Sequence, residues 1–79
     1  MRATVLVRPK EGILDPQGQA VEQSLRKLGF AVGQARIGRV VDVEVEAASA
    51  DEARERVEEM CRRLLANPLI ESYEVEVHA

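Results

Sequence analysis

Between Val41 and Glu46 valines alternate with carboxylates without a break: Val41, Val43 and Val45 against Asp42, Glu44 and Glu46. A period of two puts the valines on one face of a strand and the acids on the other, which fits a half-buried antiparallel sheet and no helix. Tyr73, Val75 and Val77 alternate with Glu74, Glu76 and His78 in the same way. At the start of the chain, Ala3 to Arg8 is rich in β-formers and ends at Pro9, which has no N–H to give to a ladder. Ala3, Val5 and Val7 share one face of that strand, with Thr4 and Leu6 on the other beside Arg2 and Arg8. A further strand is expected over Phe30 to Ile37, interrupted by Gly33, then a tight reversal at Gly38-Arg39 and the alternating strand from Val40 to Ala47.

Two helices fit between these strands. Asp15 suits an N-cap because its carboxylate can accept a first-turn N–H, and Pro16 suits the next position, where a missing N–H costs nothing. Ala20, Val21, Leu25 and Leu28 then form an apolar stripe that ends at Gly29, a natural C′ residue. Gly18 weakens the first turns of this helix by roughly 0.5–1 kcal/mol relative to Ala, which points to a close approach by another segment. Ser49 and Glu52 form a capping box for the second helix. Its stripe is Ala53, Val57, Met60, Cys61, Leu64 and Leu65, and its outer face offers acid-before-base pairs Glu52–Arg56, Glu58–Arg62 and Glu59–Arg63. Asn67-Pro68 stops it. The order is β-α-β-β-α-β over one domain, residues 1–79. It predicts an α+β sandwich of ferredoxin-like type, with two helices on one face of a roughly four-stranded antiparallel sheet. The open face would carry Asp42, Glu44, Glu46, Glu74 and Glu76, relieved by Arg2, Arg8 and Lys10 on an intervening strand or by a basic partner.

Composition removes whole classes of function. Aromatics are 3% and the net charge is −3, against the stacking rings and basic surface of a nucleic-acid module. One Cys allows no intrachain disulfide, and one Cys with one His makes an all-protein zinc site a poor fit. No apolar run nears the ~20 residues that span a bilayer, and no signal peptide is visible, so the expected location is cytoplasmic. A chain of 79 residues buries only ~60% of its unfolded surface and usually needs disulfides, metals or association. With the first two set aside, a homo-oligomer, dimer or tetramer, is expected.

No catalytic constellation stands out. Cys61 sits on the apolar stripe of the second helix and reads as core, inert because burial raises a thiol pKa. His78 is next to the C-terminus and reads as surface. The glycines match neither a P-loop nor a dinucleotide fingerprint. The unusual stretch is Lys10-Glu11-Gly12-Ile13-Leu14-Asp15-Pro16-Gln17-Gly18, which sets Ile13 and Leu14 in a loop just before a capped helix. It reads either as a hydrophobic staple or as a docking knob for another protein.

This stretch resembles the opening signature of the PurS family, the small subunit of phosphoribosylformylglycinamidine (FGAM) synthase. Arg36-Ile37-Gly38-Arg39 and Met60-Cys61-x-x-Leu64-Leu65-Ala66-Asn67-Pro68-Leu69-Ile70-Glu71 resemble two further blocks in order and spacing. Arg39 stands where many relatives have Lys, with the charge kept. The resemblance implies a non-catalytic subunit that supplies no catalytic, cofactor or metal residue. It bridges a glutaminase (PurQ-like) subunit and a synthetase (PurL-like) subunit and assists ammonia transfer in purine (IMP) biosynthesis. ATP and Mg are then used by the complex and not by this chain. Partner or self-assembly contacts are expected at Lys10, Ile13, Leu14, Asp15, Pro16, Gln17, Gly18, Arg36, Gly38, Arg39, Asn67 and Pro68. The residues alone also fit a stand-alone ferredoxin-like sensor that binds a small metabolite at a dimer interface.

Overall fold

The computed structural model describes residues 1–78. The chain runs β1 (Arg2–Pro9), α1 (Pro16–Lys27), β2 (Arg39–Glu44), α2 (Ala50–Met60), a π-helical turn (Cys61–Leu65) and β3 (Glu71–His78). The strands form an antiparallel sheet in the order β2-β1-β3. β1 is central because its inner residues are small and apolar. Val5 pairs with Val41 on one side and Val75 on the other, and Ala3 with Val43 and Val77. Met1 prolongs the pairing past the end of β2, exchanging backbone bonds with Val45 at 2.7 and 2.8 Å.

α2 lies across this valine layer. Ala3, Val5, Val7, Ala53, Val57 and Cys61 are fully enclosed, and Val45 and Ala66 complete the core. Ser49 Oγ accepts from Glu52 N (3.1 Å), while the Glu52 carboxylate accepts from Ala48 N (3.2 Å). Arg54 secures the other end of the contact by donating to the Val75 carbonyl (2.8 Å). On the outer face β1 sets Arg2, Thr4 and Arg8 between the two acidic rows; Lys10, expected beside them, lies past the end of β1 and donates to the Pro68 carbonyl instead. Thr4 Oγ1 donates to Asp42 Oδ1 (2.7 Å) and lies 3.0 Å from His78 Nε2. Its one proton is used on Asp42, so His78 donates to it. His78 is therefore half-buried and engaged, where a free surface residue was expected.

The ferredoxin-like α+β class, with its antiparallel sheet and two helices, is as expected, but several particulars differ. Phe30 to Ile37 forms no strand, and the sheet has three strands instead of about four. The N–H groups that would have entered a ladder go to side chains of the first helix and its cap: Ala35 N donates to Glu22 (2.9 Å) and Ile37 N to Asp15 (2.8 Å). α1 does not pack on the sheet, so Ala20, Val21 and Leu28 of its apolar stripe stay exposed, Leu28 by 74%. The molecule is accordingly long, 50 × 25 × 14 Å with a radius of gyration of 15.8 Å, against about 12 Å for a compact domain of 79 residues.

The expected stripe and charge pattern of the second helix also break, for one reason. After Met60 the helix widens into the π turn, closed by Ala66 N donating to the Cys61 carbonyl (3.1 Å). A wider turn advances each residue by less than an α-helix does, so Leu64 is carried off the core face; Met60, the last α-helical residue, sits at the edge of that face and is partly exposed. Of the three outer pairs only Glu52–Arg56 forms; Arg62 takes Glu59 three residues back (2.7 Å) instead of Glu58.

Burial pushes the Cys61 thiol up, with the charge of Glu58 adding to the effect. A hydroxyl in the same apolar place would give up water for at most the carbonyl one turn back, so its burial costs more than that of a thiol. Cys61→Ser should therefore lower the urea midpoint more than Cys61→Ala does, and the native thiol should resist alkylation until the chain unfolds.

Candidate functional site

The three blocks singled out in the sequence meet at one end of the sheet, where β1 finishes and β2 and β3 begin. Gly12, with φ of +82°, turns the chain out of β1. Asp15 then caps α1 and does a second job. Its Oδ1 accepts from Gly18 N (3.0 Å) and its Oδ2 from Ile37 N (2.8 Å). The Ile37 bond, then the Gly18 bond, hold its carboxyl below the usual range, with the charge of Arg36 adding. Gly18 is buried against the same segment: a Cβ there would stand 2.3 Å from the Ala35 carbonyl oxygen. This is the close approach that the helix-weakening glycine signalled.

The second block continues from this anchor. Arg36 Nη2 donates to the Pro9 carbonyl (3.0 Å) and the Lys10 carbonyl (2.6 Å). At Gly38 the backbone passes so close to β1 that a Cβ would lie 2.2 Å from the Val7 carbonyl oxygen. Arg39 then grips Glu71 with both terminal nitrogens (2.6 and 3.0 Å) and donates to the Leu65 carbonyl (2.6 Å). Those bonds, followed by one from Asn67 N (2.8 Å), hold the Glu71 carboxyl below its ordinary range. The third block is fixed from the other side. Lys10 Nζ donates to the Pro68 carbonyl (2.7 Å) and Lys10 N to the Ile70 carbonyl (2.9 Å), while Asn67 Oδ1 accepts from Leu69 N (3.1 Å).

The expected site residues thus divide into two sets. Lys10, Asp15, Pro16, Gly18, Arg36, Gly38, Arg39, Asn67 and Pro68 are brought together, and each has a backbone or packing role in the junction. Ile13, Leu14 and Gln17 face outward beside them. Leu14 forms no staple: the position it would pack against on α1 is Gln19, and Leu14 is 80% exposed. Leu64 and Leu69, at 84% and 83%, stand out from the same end. A groove of about 270 Å³ runs between Ile13, Leu14, Ile37 and Ile70.

Sequence reading missed Glu71 and Glu22 as anchors. Glu71 closes the third block, next to a lone Arg39, and that complementarity was the available signal. Glu22 gave none, because an acid at that helical position reads as solvated surface. Chemically, this end offers cations bonded to carbonyls, one saturated ion pair and exposed leucines. Among the described residues no group of three or more His, Cys, Asp or Glu could hold a metal ion.

The comparisons with known proteins agree with this geometry. The family model described as PurS, phosphoribosylformylglycinamidine (FGAM) synthase, matches residues 2–79. The chain belongs to the PurS family. The PurS subunit of Methanocaldococcus jannaschii phosphoribosylformylglycinamidine synthase is 39% identical over 77 residues, covering 96% of this chain and 93% of that one. The crystal structure of the M. jannaschii PurS superposes with a TM-score of 0.87 at 38% identity, covering 98% and 94% of the two chains. A chain in the structure of PurLQS from Thermotoga maritima also reaches 0.87, at 36% identity over 95% of this chain and 93% of that one. The full-length match extends the PurS likeness to all three blocks of the junction.

Two predictions test the junction. Gly18→Ala gains helix propensity of about 1 kcal/mol, yet it drives a methyl group into a backbone carbonyl. The net change should be a loss of about 1–3 kcal/mol, read as a lowered melting temperature. Asp15 has a folded-state pKa below its unfolded value, so its contribution is complete above the ordinary Asp range. It is lost as pH falls through the lowered value. The Ile37 amide proton shift should follow that titration by NMR, with a midpoint below that of a free Asp. Asp15→Asn should abolish it.

Proposed function

We propose that this chain is the non-catalytic bridge of FGAM synthase in purine (IMP) biosynthesis, joining the glutaminase and synthetase subunits. Family membership makes it a subunit of that carbon–nitrogen ligase. One observation carries the finer reading. Where the three blocks meet, the anchoring side chains hold backbone, and what faces outward is mainly aliphatic: Leu14, Leu64 and Leu69, with Ile13 and Gln17 beside Leu14. A surface of that kind fits a protein partner better than it fits a substrate. No step of the reaction is assigned to a residue of this chain; ATP and Mg are used by the complex.

The exposed stripe of α1 and the elongated shape support self-association. Val21 and Leu28 lie on a helix that no strand of the same chain covers, with Phe30 exposed just beyond it. A second copy of the chain is the cover proposed here, giving a homo-oligomer that engages the other subunits. The PurLQS assembly of T. maritima supports the pairing with PurL-like and PurQ-like partners. The proposed location is the cytoplasm, and no helix of the described residues is long and apolar enough to cross a membrane.

Bridging has a physical purpose. Ammonia released from glutamine into bulk water is protonated and diluted, so subunits held in register keep it reactive and local. The experiment is reconstitution with Leu14→Asp. That change removes an exposed apolar contact and adds a charge, while leaving the core and the junction bonds intact. The variant should fold normally and weaken assembly at least about tenfold, the equivalent of ~1.4 kcal/mol. Glutamine-dependent turnover should fall with it, and ammonia-dependent turnover should fall less. Unfolding of Leu14→Asp would show that Leu14 is part of the core, and unchanged assembly would remove it from the interface.

A further inference from the structure

A second groove, of about 630 Å³, lies where the end of β1 passes the segment before β2. Its floor is apolar, with Leu6, Ile37 and Val40, and its rim carries Arg8, Lys10 and Arg36. These cations are not neutralised in the way Arg39 is. Arg36 spends Nη2 on two carbonyls, and its Nε is enclosed without a hydrogen-bond partner. Lys10 Nζ is bonded to the Pro68 carbonyl. Arg8 reaches Glu74 at 3.4 Å, with both side chains well exposed. A carbonyl orients a cation but does not cancel its charge, so the lining stays more basic than acidic, with Glu11 in the groove and Glu74 and Asp15, beside Arg8 and Arg36, offsetting part of it. This stands out in a chain of net charge −3 whose outer sheet face carries Asp42, Glu44, Glu74 and Glu76.

We infer that this groove receives an acidic, partly apolar segment of a partner subunit. The inference rests on the bridging function proposed above and adds to it the chemistry of one contact. Charge complementarity selects the acidic half of the occupant. Continuity selects the apolar half: the cationic groove shares Pro9, Ile37, Gly38 and Arg39 with the groove beside Leu14. A segment lying across both would set carboxylates against Arg8, Lys10 and Arg36 and aliphatic side chains against Leu14 and Ile70. A free anion would use only the first half.

The test is Arg8→Glu/Lys10→Glu, with Arg8→Gln/Lys10→Gln as the milder variant should the first fail to fold. Each is checked by circular dichroism and size-exclusion, then titrated with the purified synthetase and glutaminase subunits, separately and together, at low and high salt. The wild-type chain should bind with an affinity that falls as salt rises. The charge reversal should weaken binding to one partner at least tenfold, or the neutral variant at least threefold, with the oligomer unchanged in size. Binding within twofold of wild type by a folded variant would overturn the proposal. Loss of self-association instead would place a second copy of this chain in the groove and also overturn it. Competition by millimolar inorganic phosphate at fixed ionic strength would assign the groove to a free anion, with the same consequence. If the wild-type chain bound neither partner, the bridging reading itself would fall, an outcome distinct from a wrong groove.

Discussion

One carboxylate holds together parts of this molecule that are far apart in sequence. Asp15 accepts from Gly18 and from Ile37, twenty-two residues further on, and so fixes both the start of α1 and the path of the chain returning from it. Several features follow from that path. With Ile37 bonded to a side chain, the segment before β2 cannot use that N–H in a ladder. It is pressed against Gly18 instead, and Arg36 arrives beside the carbonyls of Pro9 and Lys10. Gly38 and Arg39 then enter β2 at the one place where Arg39 can reach both Glu71 and Leu65.

Much of this was legible in the sequence wherever a local rule and the tertiary demand agreed. Alternating valines and acids became β2, the Asp15 and Ser49 caps start their helices, and Cys61 is enclosed as its apolar neighbours implied. The departures occur where a side chain competes for the backbone or where helical period changes. Phe30 to Ile37 reads as a strand by composition, but strand formation needs a neighbour, and the amides of Ala35 and Ile37 were taken by Glu22 and Asp15. Leu64 reads as core under a constant period of 3.6, and the π turn ends that period four residues earlier. The site was legible as three blocks of sequence. Their convergence was not, because pairings such as Lys10 with Pro68 or Arg39 with Glu71 leave no local pattern.

The division of labour between the two faces is physical. The inner face is a dry layer of Ala, Val and Cys with no polar side chain buried among the described residues. Such a core is easily built but thin, since one helix covers three strands. Polar side chains at the junction are used to hold loops in place. Rigid loops that present leucines suit assembly, because less conformational freedom is lost on binding.

That thinness reaches beyond the single chain. At 14 Å across its least dimension, the slab has little interior of its own, and much apolar surface is left for others to cover. Whatever binds the folded form also stabilises it, by mass action. A copy held by its companions is thus harder to unfold than a free one, and the stability of this subunit depends on how much of it is bound.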